Sequence, residues 1–181
     1  MNILISQYMT VTIGICGSGS LSNESEDYII KSAEIIGQEI AQRNGVLICG
    51  GKEGVMNAAC KGAKQADGLT IGILPHARSE KNAFVDIPIV TGIGHKRNDI
   101  IVMSADCIIF LAGRWGTFNE ISLAILHQTP MVFLKESSGI VDMFLRSNII
   151  NEIPSEWAIA SEPIQAVEKA FQLAKTSNPK D

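Results

Sequence analysis

Three short glycine-rich turns, each directly behind a run of aliphatic and β-branched residues, constrain this chain more than any other feature. Gly17-Ser18-Gly19-Ser20 follows Val11–Cys16, Gly50-Gly51-Lys52-Glu53-Gly54 follows Val46–Cys49, and Gly113-Arg114-Trp115-Gly116-Thr117 follows Asp106–Leu111. Such runs bounded by glycine read as strands. The segments between them read as helices. In 24–43, Ile29, Ala33, Ile36, Gly37 and Ile40 recur at helical spacing, with Asn23 and Glu26 as a candidate cap and Asn44-Gly45 as the stop. Further helices are expected over Gly54–Ala66, His95–Ser104, Thr117–Gln128, Gly139–Ile150 and Ile164–Lys175, the last fraying in SNPKD. Further strands are expected over Leu69–Leu74, Ile87–Val90 and Met131–Leu134, with a polar loop over 76–84. Strands alternating with helices make βαβ units. The DCIIFL run lacks polar alternation, as a strand covered by helices on both faces should. The expected fold is α/β, a doubly wound, Rossmann-like and mostly parallel sheet with helices on both faces.

At about 150 residues per domain, 181 residues make one domain, over residues 9–181. Met9 offers an alternative start that would make residues 1–8 a dispensable tail. Apolar residues at 46% and charged residues at 19% exclude disorder as the main state. A net charge of −4 without a basic run argues against a nucleic-acid polymer as partner, but one helix end and one arginine suffice for a single nucleotide. The apolar run 100–112 is interrupted by Ser104 and Asp106, so no membrane span is expected. The first cation is Lys31, so the start is not a secretory signal. Cys16, Cys49, Cys60 and Cys107 never form Cys-x-x-Cys and read as buried free thiols in a cytoplasmic protein.

In a parallel sheet all strand C-termini lie on one edge, so the three turns converge where open α/β sheets bind ligands. Each turn also opens a helix, whose first N–H groups and dipole attract an anion, while glycine lets backbone approach it closely. A small phosphorylated ligand is the expected partner, held by Gly17, Ser18, Gly50, Gly51, Gly54, Met56, Asn98, Gly113, Arg114, Gly116 and Thr117. The dinucleotide fingerprint is incomplete, because Ser22 stands at its third glycine and strand two ends without an acidic ribose anchor. Lys52 falls one place late for a P-loop, no Gly-x-Ser-x-Gly elbow exists, and His76, His95 and His127 are not spaced as metal ligands. Glu120 and Arg97 are the candidate catalytic pair. Each has a plainer alternative. Thr117-x-x-Glu120 is also a helix capping box, Arg97 also reads as a solvated cation, and Ser18 and Ser20 also read as ordinary turn residues. Trp115 is either a packing aromatic or a lid over a base.

CGSGS, GGKEGVMNAACKGAKQADGLTIGILP and RNDIIVMSADCIIFLAGRWGTFNEIS resemble the LOG-type (LONELY GUY) proteins, often mislabelled lysine decarboxylases, from about Thr12 to Leu134. The family hallmark Pro-Gly-Gly-x-Gly-Thr-x-x-Glu follows an Arg-Lys pair by fifteen residues. Arg97 lies fifteen residues before Ala112, and Gly113, Gly116, Thr117 and Glu120 fall in register. Ala112 replaces the proline, Arg114 the second glycine and Asn98 the lysine, and the Gly50–Met56 turn is shorter. GVMNAACKGA and Arg97-Asn98 are closer to a sister branch of small nucleotide-binding and molybdenum-cofactor-carrier proteins. The resemblance implies a nucleoside 5′-monophosphate phosphoribohydrolase that releases free base and ribose 5-phosphate, with Glu120 and Arg97 in the active site and no cofactor required. The alternative it implies is a non-catalytic carrier for a nucleotide or a molybdopterin-type cofactor. It also implies a homodimer or homotetramer. A pyridoxal-phosphate lysine decarboxylase is excluded by length and by the lack of a cofactor-lysine setting.

Overall fold

The structure is a computed structural model that describes residues 10–20 and 26–176. The Asn23 cap, residues 1–8 and the C-terminal SNPKD lie outside the described residues. Seven strands, β1 (Thr12–Gly17), β2 (Val46–Cys49), β3 (Leu69–Leu74), β4 (Ile87–Val90), β5 (Cys107–Leu111), β6 (Met131–Leu134) and β7 (Trp157–Ala160), form one sheet in the order β4-β3-β2-β1-β5-β6-β7. Every pairing is parallel. The doubly wound α/β expectation holds. All of β5 and β6 is buried. Their side chains alternate between two cores, as the pleat requires. Ile109, Leu111, Val132 and Leu134 face one core, and Ile108, Phe110, Met131 and Phe133 the other.

The first core is closed by α1 (Glu26–Gln42), α2 (Val55–Gln65) and α6 (Pro163–Thr176). The second is closed by α3 (Arg97–Ser104), α4 (Trp115–Leu126) and α5 (Gly139–Leu145). The five apolar positions picked out in α1, Ile29 to Ile40, are all buried. Asn44 ends α1 in the left-handed region (φ 58°), and Gly45 N–H returns to the Ile40 carbonyl at 3.0 Å. All four cysteines are free and buried. Among the described residues no helix is long and apolar enough to cross a membrane.

Three helices depart most from expectation, and one strand is added. Residues 94–96 form a 3₁₀ turn, so α3 starts at Arg97. α5 stops at Leu145, and another 3₁₀ turn covers Asn148–Glu152. α4 starts at Trp115, two residues early. β7 is a four-residue edge strand and only Ala160 in it is fully buried, so WAIA carries no clear alternation to read.

α2 is pressed onto the sheet by an unusually close crossing with α1. A Cβ at Gly37 would lie 1.9 Å from the Ala59 carbonyl oxygen, and one at Gly62 would lie 1.8 Å from that of Glu34. Backbone therefore meets backbone at both points. Glu34 then receives Lys61 and Gln65 from α2 at 3.2 and 2.7 Å. This seating fixes where the N-terminal end of α2 delivers Met56. Gly62→Val should force the helices apart and cost about 1–3 kcal/mol or more in urea unfolding, whereas Lys61→Ala, which removes only an exposed ion pair, should cost under about 1 kcal/mol.

Candidate functional site

The sheet order reverses between β1 and β5, which leaves a crevice outside their C-terminal ends. A cleft of about 440 Å³ occupies that crevice. One wall is the turn after β1, Gly17 to Ser20, and the opposite wall is the first turn of α4, with Arg114, Gly116 and Thr117. Met56 closes one side, Arg97 and Asn98 another, and Glu120 lies at the floor beside Cys16. The rim carries Lys52, Glu53, Glu80 and His95.

Arg97 is not a solvated surface cation. It is 7% exposed. Its Nη1 donates to the carbonyls of Gly50, at 2.6 Å, and Ile73, which end β2 and begin the exit from β3. A Cβ at Gly50 would stand 2.7 Å from both terminal nitrogens of that guanidinium, so glycine is required there by space. Arg97 Nε is buried without a hydrogen-bond partner among the described residues. Burial lowers the Arg97 pKa, and the nearby Glu120 partly restores it.

Glu120 is not a helix cap either. The N-cap position of α4 is Arg114, which places Thr117 and Glu120 inside the helix. Glu120 is 8% exposed, and its carboxyl accepts a hydrogen bond from the Cys16 thiol. Burial pushes its pKa up to about 7, against the opposing pulls of Cys16 and Arg97. Burial and the neighbouring carboxyl push the Cys16 thiol well up, which keeps it protonated and a donor. A carboxyl with this pKa can hold or release a proton near neutrality.

The loop that begins α4 is held from below by residues after β6. Ala112 adopts φ 54°, a left-handed conformation closed to proline. Its N–H donates to Ser137 Oγ at 2.9 Å. The N–H groups of Ile140 and Val141, at the start of α5, reach the carbonyls of Gly113 and Ala112 at 2.9 and 3.1 Å. A Cβ at Gly139 would meet the Gly113 carbonyl at 2.5 Å, and one at Gly113 would strike Thr117. Around Gly116 no atom lies within 4 Å of a hypothetical Cβ, so that position faces open cleft.

The matching family model, SLOG cluster4, spans residues 10–167. The chain belongs to the SLOG cluster4 family. Among solved structures it is similar to a molybdenum cofactor binding protein of Rippkaea orientalis, at 37% identity and TM-score 0.80, over 92% of this chain and 98% of that one. It is likewise similar to the molybdenum cofactor carrier protein of Chlamydomonas reinhardtii, at 32% identity and TM-score 0.78, over 92% of this chain and all of the other. It also matches a cytokinin riboside 5′-monophosphate phosphoribohydrolase of Arabidopsis thaliana at 26% identity, over 74% of this chain but only 61% of the plant enzyme. It is therefore a LOG-like chain on the side of the molybdenum-cofactor-carrier branch.

In this SLOG cluster4 protein the expected site residues fall into two groups. Gly17, Ser18, Met56, Arg97, Asn98, Arg114, Gly116, Thr117 and Glu120 line the cleft. Gly50, Gly51, Gly54 and Gly113 do not line it and act as spacers. Gly51 (φ 68°) packs on Gly72 and Leu74, and Gly54 (φ 70°) lies against the Ser18 carbonyl, which also accepts from Val55 N–H at 3.0 Å. Ser18 Oγ donates to the Ser20 carbonyl at 2.8 Å and so shapes its own turn. The rim groups Lys52, Glu53, Glu80 and His95, and Cys16 at the floor, were absent from the expected set. Lys52 and Glu80 pair at 3.5 Å across 28 positions of sequence, which no local spacing reveals.

Two measurements test this construction. Ala112→Pro should lose the Ser137 hydrogen bond and the left-handed backbone and destabilise by about 3 kcal/mol or more, while Ala112→Gly should stabilise by about 1 kcal/mol in urea titrations. For Glu120 the sign follows from its raised pKa. The native state holds its proton above the unfolded value of 4.5, so stability falls as pH rises from there through about 7. Glu120→Gln should remove that slope, its advantage over wild type growing to about 3 kcal/mol by pH 8. Parallel curves for both proteins between pH 5 and 8 would contradict the assignment.

Proposed function

We propose that this protein binds a phosphorylated small molecule in the cleft between β1 and β5 and works as a binding or carrier protein, with a molybdopterin-type cofactor or a nucleoside monophosphate as cargo. The observation that carries the reading is the first turn of α4. By helix geometry the N–H groups of Trp115, Gly116 and Thr117 have no carbonyl to meet within the helix. They are presented at a place where Gly116 leaves room for an anion. Lys52 and Arg114 add positive charge around it. The residues present fit a phosphate, and the cleft volume lies in the usual range for small-ligand sites. The two cofactor-binding neighbours, similar over nearly their whole length, support the carrier role.

A second reading, phosphoribohydrolase, is favoured by one observation. Glu120 lies in the same cleft with a pKa of about 7. It could protonate a departing base or, once ionised, stabilise an oxocarbenium-like ribosyl group. Arg97 would position it electrostatically, since its Nη1 already donates to two backbone carbonyls. The two readings share one binding mode and differ in whether Glu120 acts on the ligand.

The deciding experiment incubates purified protein with AMP, GMP, CMP and a cytokinin ribotide, and separates the products by chromatography. The carrier reading expects no free base, a melting temperature raised by phosphorylated ligands, and loss of that rise in Arg114→Ala. Base release by wild type and not by Glu120→Gln would establish the hydrolase instead. A melting temperature indifferent to every phosphorylated ligand would sink both.

A further inference from the structure

A second cleft, of about 590 Å³, lies beside the first and shares His95, Asn98 and Gly116 with it. Gly116 forms the saddle between the two, because nothing stands within 4 Å of where its side chain would be. A ligand anchored on the α4 first turn can therefore extend over Gly116 without a break. Trp115 stands at this second cleft. It is 79% exposed, so it does not serve the core. Its ring is nevertheless held in place. It meets Phe118 edge-on at 6.3 Å between centroids, and Phe118 meets the buried Phe144 at 6.4 Å. A large exposed ring with an aromatic neighbour at its edge, standing beside a cleft, offers a stacking platform. On α3, Asp99 lines the same cleft, and its Oδ1 lies 2.7 Å from His127 Nε2. A carboxylate oxygen accepts more than one hydrogen bond, so this contact leaves both oxygens able to accept from a ligand.

We propose that this second cleft is a ring subsite, in which a flat heteroaromatic ring stacks on Trp115 and an adjacent N–H and amino group donate to the Asp99 carboxylate. The ring class is the 2-amino-4-oxo type shared by guanine and pterins. An adenine edge places a ring-nitrogen acceptor beside its amino group, and that acceptor repels a carboxylate. The inference rests on the phosphate reading of the first cleft and goes beyond it by naming the ring that the ligand carries.

The test is calorimetric titration of the whole chain with ribose 5-phosphate, GMP and AMP. The expected result is binding of all three, with GMP about tenfold tighter than AMP. Trp115→Ala should weaken GMP about tenfold and leave ribose 5-phosphate unchanged. Asp99→Asn should bring GMP down to the affinity of AMP. Equal affinity for ribose 5-phosphate and both nucleotides, unaltered in the two variants, would overturn the ring subsite while leaving phosphate binding intact. No binding of ribose 5-phosphate or either nucleotide would overturn phosphate binding and the ring subsite together. Sedimentation of Trp115→Ala covers the rival use of the surface. A drop in oligomeric size with nucleotide affinity unchanged would assign Trp115 to a contact between copies of the chain and overturn the proposal.

Discussion

The guanidinium of Arg97 lies at the centre of the geometry at the sheet edge. It binds the carbonyls where β2 and β3 end, and so fastens α3 to the two strands on one side of the crevice. Breaking such a buried charged contact leaves an uncompensated charge, which costs far more than the contact itself contributes. That explains why so much around it is constrained. Gly50 can carry no side chain, because the guanidinium and the Met56 sulfur, at 2.7 and 2.8 Å, occupy the space. Glu120 lies across the cleft floor, where it pulls the Arg97 pKa up and Arg97 pulls the Glu120 pKa down, in both cases against the larger effect of burial. The arginine therefore cannot be treated as a detachable catalytic group.

A second constraint comes from the far side of the site. The loop before α4 has its amide and its carbonyls satisfied by residues 137–141, so a segment remote in sequence shapes the first turn of α4. Ser137 links the two directly, since its hydroxyl donates to the Leu134 carbonyl and accepts from Ala112. The left-handed backbone at Ala112 belongs to this arrangement. A proline, as in the LOG hallmark, could neither adopt that conformation nor donate to Ser137. The alanine is therefore part of a differently supported loop, and the substitution changes geometry as well as composition.

What could be read from the sequence follows the range of the interactions involved. Strands β1 to β6 were legible because buried parallel strands leave unbroken apolar runs, and the convergence of the glycine turns followed from topology alone. The same logic brought Glu120, Arg97 and Gly116 to one place. For the two charged residues it is the plainer alternatives, a helix cap and a solvated cation, that fail. Thr117-x-x-Glu120 has the spacing of a capping box, but the helix begins at Trp115, and that start is set by contacts with residues 139–141 rather than by local signals. Arg97 looked solvated because its acceptors are backbone carbonyls, 47 and 24 positions away, which no residue type announces. The glycines show the same limit. Their spacing marks a close approach but does not say to what. At Gly116 the neighbour is open cleft, at Gly54 it is the Ser18 carbonyl, and at Gly37 and Gly62 it is another helix.

The charge arrangement in the cleft explains why a single fold can serve carriers and hydrolases alike. Lys52, Arg97 and Arg114 surround a space that also contains Glu53, Glu80 and Glu120. An arriving phosphate is drawn by the cations and by the α4 N-terminus, and it repels whichever carboxylate remains ionised. Glu53 and Glu80 are at the rim, where water screens them, and Glu80 already has Lys52 as partner. Glu120 is at the floor, where screening is weak. On the proposed phosphate reading, a group with a pKa near 7 would answer the anion by taking up a proton rather than by leaving the site. Binding of a dianion and protonation of Glu120 would then be coupled. The protonated acid beside a held ligand is at once the neutral floor that a carrier needs and the proton donor that a hydrolase needs. What separates the two is whether the ligand's glycosidic nitrogen comes within reach of that proton.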